Sequence, residues 1–90
     1  MRQRSGYVAP RTEQEQILAK IWENALGIEQ VGIQDNFFDL GGASIQCIEI
    51  VAKANMYGFQ LSAENVFEYQ TIARLAAQIK GEINRVSPII

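Results

Sequence analysis

The sequence predicts an all-α fold: a small bundle of three main helices plus one short helix, with a long ordered loop between the first two main helices. Three observations predict it. Apolar residues recur at helical spacing in three separate runs, beginning at Ile17, Cys47 and Ile72. A hydroxyl residue suited to a helix start heads each run: Thr12, Ser44 and Thr71. A glycine suited to a helix stop follows each run, at Gly27, Gly58 and Gly81. At 90 residues the chain is one domain at most. Its 48% hydrophobic content is that of a folded chain rather than a disordered one.

Residues 1–11 have no helical period and carry Pro10 and three arginines, so a linker is expected there. Thr12-Glu13-Gln14-Glu15 has the capping-box form, a hydroxyl followed three residues on by a carboxylate. Ile17, Leu18, Ile21, Trp22, Ala25 and Leu26 then make a core face. Glu13, Gln16, Lys20, Glu23 and Asn24 fill most of the other face. Trp22 is expected to face the core with its N–H near the surface. Ile28–Asn36 reads as an ordered loop pinned by Val31, Ile33, Phe37 and Phe38. Val31 and Ile33 alternate like a strand, but no second strand is evident to pair with them. A long loop in so small a domain is often functional.

The second helix is expected from Ser44 to about Tyr57. Cys47, Ile50, Val51 and Ala54 form its core face, and Gln46, Glu49 and Lys53 a polar one. Ile45, Ile48 and Ala52 fall on neither and make a second apolar stripe beside Ser44. Two readings of that stripe stay open: a partner surface, or contact with the Phe37/Phe38 loop. Phe59 and Leu61 punctuate a connector. Ser62 caps the short helix, with Val66 and Phe67 inward. Thr71 caps the last one, with Ile72, Leu75, Ala76 and Ile79 inward and Arg74, Gln78 and Lys80 outward. The domain is expected to span 12–81, followed by a C-terminal linker or tail over 82–90.

Charge narrows the partners. Four basic residues stand against all ten acidic ones between Thr12 and Asn84, a net of −6. Such a domain repels phosphates, so no nucleic acid is expected; a basic partner surface suits it better. The single cysteine, Cys47, allows no internal disulfide and reads as core packing. No apolar stretch is long enough to span a bilayer, and Met1–Tyr7 lacks the apolar core of a signal peptide. A cytoplasmic location is expected. With no histidine in the sequence, neither a Ser-His-Asp triad nor a histidine-ligated metal site can form within this chain.

The chain is organised around Asn36-Phe37-Phe38-Asp39-Leu40-Gly41-Gly42-Ala43-Ser44-Ile45. Two aromatics anchor a loop, two glycines keep it open, and a serine opens a helix. By position alone, Ser44 serves equally as a plain cap or as a working hydroxyl. Asp39 reads as a loop anchor, a partner contact or a solvated carboxylate.

Asp35-Asn36-Phe37-Phe38-Asp39-Leu40-Gly41-Gly42-x-Ser44 closely resembles the attachment motif of peptidyl carrier domains, the thiolation domains of nonribosomal peptide synthetases. Tyr7-Val8-Ala9-Pro10-Arg11-Thr12 resembles the segment that joins an adenylation domain to its carrier domain. Ile21-Trp22, Leu26-Gly27, Val31-Gly32-Ile33, Phe67-Glu68 and Thr71-Ile72-Ala73-x-Leu75-Ala76 agree with the family as well. The resemblance covers roughly residues 7 to 80. It implies an acyl-carrier-like bundle without catalytic activity of its own. Ser44 would be the covalent attachment site of 4′-phosphopantetheine, taken from coenzyme A by a phosphopantetheinyl transferase. Further partners would be an adenylation domain and condensation, thioesterase or tailoring domains, the isolated domain being monomeric. Asp39, Ala43, Ile45, Ile48, Glu64 and Glu68 are the residues expected to face partners. Two positions depart from the family: Ala43 replaces the usual His or Asp, and Gln70 replaces a common proline, the latter expected to matter little.

A polyketide-type acyl carrier and a non-covalent helical docking module are the alternatives. A serine hydrolase is nearly excluded, because the chain offers no histidine base and no strand-elbow setting for the serine.

Overall fold

The computed structural model describes residues 7–79. Residues 1–6 of the linker expected over 1–11, together with Lys80, the Gly81 stop and the tail over 82–90, lie outside the described residues. Four α-helices make the fold: α1 (Glu13–Leu26), α2 (Ser44–Met56), α3 (Ala63–Tyr69) and α4 (Ile72–Gln78). α1 packs on α2 and α4, while α3 joins α2 to α4.

Local chemistry sets three of the four starts. Thr12 Oγ1 accepts from Glu15 N–H at 3.1 Å, and Glu15 Oε1 accepts from Thr12 N–H at 3.2 Å, a complete capping box. Ser62 and Asn65 make the same exchange ahead of α3. Thr71 Oγ1 accepts from Arg74 N–H at 3.3 Å and starts α4. α1 ends on Gly27, which takes the left-handed conformation at φ 69°. α4 ends at Gln78 with Ile79 already extended, so it stops before the expected glycine.

The core gathers Leu18, Ile21 and Trp22 from α1, Cys47, Ile50 and Ala54 from α2, Val66 from α3, and Ile72 and Leu75 from α4. Val31, Ile33 and Phe37 enter it from the long loop and Phe59 and Leu61 from the connector. Side chains and neighbouring backbone hold the loop, with no strand needed. Glu23 Oε2 accepts from Val31 N–H at 3.1 Å and Asp35 Oδ2 from Gly32 N–H at 2.8 Å. Ile33 C=O accepts from Ala73 N–H at 3.0 Å, tying the loop to α4.

Three expectations about aromatics need correction. Trp22 is wholly buried, and its Nε1–H is buried too, with no partner among the described residues. Phe38 is 44% exposed rather than a core anchor, because Phe37, its neighbour on the loop, takes the core position. Phe67 is 38% exposed rather than inward, Val66 alone of that pair filling the core.

Glu15 is buried at the start of α1. Burial alone would raise the pKa of its carboxyl. Hydrogen bonds from Arg11 N–H, the Arg11 guanidinium and Thr12 N–H, together with the Arg11 charge, outweigh burial and hold it below its ordinary value.

Candidate functional site

The serine loop is built outward from Phe37. This ring meets Trp22 edge-on, with centroids 5.4 Å apart at 72°. Phe37 N–H donates to Gln70 C=O at 2.7 Å. Asn36 organises the turn that follows. Its Oδ1 accepts from Phe38 N–H at 2.8 Å and Asp39 N–H at 3.2 Å, while its Nδ2 donates to Gln70 Oε1 at 2.8 Å.

The two glycines answer different demands. Gly41 has φ 92°, a left-handed angle that disfavours any side chain, and open space beside it. Gly42 lies against the Phe37 ring, where an added Cβ would overlap the ring atoms. Gly42 N–H also donates to Phe37 C=O at 3.0 Å.

Ser44 follows as the first residue of α2, not as its cap; the cap position belongs to Ala43. An alanine has no side-chain acceptor, so only the reciprocal half of a capping box exists: Gln46 Oε1 accepts from Ala43 N–H at 3.1 Å. Ser44 is exposed, and its hydroxyl has no hydrogen bond among the described residues. The first hydrogen bond of α2 runs from Cys47 N–H to Ala43 C=O at 2.9 Å. The N–H groups of Ser44, Ile45 and Gln46 thus point their partial positive charge toward the serine end without a partner among the described residues.

The residues expected to face partners are all exposed. Asp39, Ala43, Glu64 and Glu68 are at the surface, with Ile45 76% and Ile48 65% exposed on α2. The second apolar stripe is therefore uncovered rather than buried under the aromatic loop. Phe38 and Phe67 form a further exposed apolar pair that the sequence did not reveal, stacked with centroids 5.6 Å apart at 11°. Of the readings for Asp39, loop anchoring falls to Asn36 instead. Cys47 is buried in the core, and burial pushes its thiol pKa up.

Gln70 matters more than its replacement of a proline suggested. It sits at φ 65°, outside proline's range. Its N–H donates to Val66 C=O at 2.9 Å, and its Nε2 to Phe67 C=O at 3.0 Å. With its bonds to Asn36 and Phe37, it clamps the serine loop to the end of α3. Thr71 still caps α4, as expected.

The groups present fit a phosphopantetheine arm. An exposed serine hydroxyl stands at a helix N-terminus whose first N–H groups, without partners among the described residues, favour an anion. The described residues contain no cluster of three or more His, Cys, Asp or Glu placed to hold a metal. No helix among them is long and apolar enough to cross a membrane.

Comparison with known proteins agrees with this geometry. Residues 16–79 match the family described as the phosphopantetheine attachment site. The chain is 59% identical over 70 residues to a linear gramicidin synthase of Brevibacillus parabrevis, covering 78% of this chain and 1% of that protein. It is 47% identical over 77 residues to tyrocidine synthase 1 of the same organism, covering 86% of this chain and 7% of that protein. A solved structure described as a non-ribosomal PCP domain superposes with a TM-score of 0.78 at 35% identity, covering 82% of this chain and 96% of that one. Another superposes at 0.73 and 39% identity, covering 79% and 94%; it is described as the phosphopantetheine transferase Sfp in complex with coenzyme A and a peptidyl carrier protein. The chain belongs to the phosphopantetheine attachment family and, within it, to the peptidyl carrier domains of nonribosomal peptide synthetases.

Proposed function

We propose that Ser44 is the attachment residue and that the domain carries aminoacyl or peptidyl groups between the domains of a nonribosomal peptide synthetase. One observation carries the assignment: Ser44 is exposed and unbonded among the described residues, at the mouth of a helix whose first N–H groups are free. The Ser44 oxygen would form a bond to the β-phosphorus of coenzyme A, the bond to 3′,5′-adenosine bisphosphate would break, and the hydroxyl proton would leave to a base of the transferase. This chain supplies no histidine for that task, so activation belongs to the transferase. The free N–H groups of Ser44, Ile45 and Gln46 would favour the phosphodiester's negative charge. Once attached, the arm supplies a thiol that holds the cargo as a thioester.

The domain catalyses nothing itself in this reading and acts as a monomer in the cytoplasm. The transferase, an adenylation domain and condensation, thioesterase or tailoring domains meet the face formed by Asp39, Ala43, Ile45, Ile48, Glu64 and Glu68. The transferase–carrier complex among its structural neighbours supports the first of these partners. The peptide synthetase relatives support an aminoacyl cargo over a polyketide one.

The test is intact mass after incubation with coenzyme A and a phosphopantetheinyl transferase. One phosphopantetheine is expected on the wild type and none on Ser44→Ala. An unchanged mass on folded wild type, or a gain that persists in Ser44→Ala, refutes the assignment.

A further inference from the structure

The lead-in to α1 is seated on the domain. Val8 C=O accepts from Ile33 N–H at 2.9 Å, and the Val8 side chain is half-buried against the core. Tyr7 lies over Gly32 so closely that a Cβ there would come within 2.8 Å of its ring and 3.2 Å of Val8 N. Gly32 does not take a left-handed φ, so it is this overlying chain that crowds a side chain there. At the other end of the lead-in, Arg11 is tied to α1. Its N–H donates to Glu15 Oε1 at 2.8 Å, and its guanidinium lies 3.4 Å from Oε2.

We propose that residues 7–10 are a releasable strap: they dock on the Val31–Ile33 loop and can lift from it while the bundle stays folded. The ground beneath them is secured independently. Val31 N–H is held by Glu23, Gly32 N–H by Asp35, and Ile33 C=O by Ala73 N–H. Lifting the strap leaves those bonds intact and releases the Ile33 amide from its Val8 partner. Within the strap, Ala9 is exposed and Pro10 has no N–H to bond. The Arg11–Glu15 contacts mark where the moving part would end.

The use of such a strap rests on the carrier reading. A carrier must bring one serine to more than one active site. Docked, the strap shortens the connection to whatever precedes it. Released, four residues at ~3.3–3.6 Å each would let the preceding chain swing within about 14 Å of Arg11 instead of being held at the docked position of Tyr7. Docking and release would then set how far Ser44 can travel.

Amide hydrogen exchange followed by NMR tests the strap without coenzyme A, so its outcome is independent of whether Ser44 is loaded. In the wild type, the Ile33 amide is expected to exchange about tenfold or more faster than those of Ile50 and Leu75, through an opening that leaves the core closed. Tyr7→Ala removes the ring, and Gly32→Ala wedges the strap from below. Each should accelerate Ile33 further by about tenfold while leaving Ile50 and Leu75 within about twofold of their original rates. Wild-type exchange of Ile33 at the core rate would overturn the proposal, whatever the variants do. So would variants that accelerate the core amides as much as Ile33, or that leave Ile33 unchanged.

Discussion

Phe37 occupies the space into which a side chain on Gly42 would project. The contact couples the core to the serine loop, since the same ring is buried against Trp22. Gly42→Ala is expected to lower stability by about 1–3 kcal/mol through overpacking, read as a reduced melting temperature. Loading of Ser44 should fall with it. Gly41→Ala meets open space but keeps an unfavourable φ, so its expected cost is about 1–2 kcal/mol. A Gly42→Ala protein as stable as wild type would show that the loop shifts away from the ring without cost.

Gln70→Pro should be among the more damaging changes outside the core. Proline cannot take φ 65°, and the bond from Gln70 N–H to Val66 C=O would go. A loss of more than about 1 kcal/mol is expected in denaturant unfolding. Gln70→Gly accepts the angle but drops the side-chain bonds to Asn36 and Phe67. It should recover part of the stability lost in the proline variant.

Ile48→Asp separates surface from core. At 65% exposure, the change should move stability by no more than about 0.5 kcal/mol. Transfer assays with partner domains should nevertheless slow. A large fall in melting temperature without a transfer defect would contradict the surface role.

Glu15 predicts the direction of an acid effect. Its folded pKa lies below the ordinary 4.5, so folding favours the ionised form. The stabilisation is complete above about pH 4.5 and is lost as pH falls through the depressed folded value. Melting temperature should therefore decline more steeply below pH 4.5 in wild type than in Glu15→Gln. Parallel curves would show that the Arg11 and Thr12 contacts do not favour the charged carboxylate.

The helices were legible because their signals are local. Thr12 with Glu15, Ser62 and Thr71 announce starts in four residues, and apolar spacing identifies most of the core. The serine motif was legible for the same reason. The misreadings were tertiary. Phe37 and Phe38 look alike in sequence, but adjacent loop residues face differently, and only packing against Trp22 selects which is buried. Gln70 looked like a neutral replacement because the partners of its side chain include Asn36, 34 residues away. Ser44 has a good cap side chain, but the helix begins one residue earlier than that role requires, at Ser44 itself, which leaves Ala43 at the cap.

Trp22 is the chain's single tryptophan, and its indole touches the ring that props up the serine loop. The domain therefore carries its own optical gauge. Light emitted by that one buried fluorophore comes from the seam between the bundle and the loop. A partner that disturbs the loop on docking would register there without any attached dye.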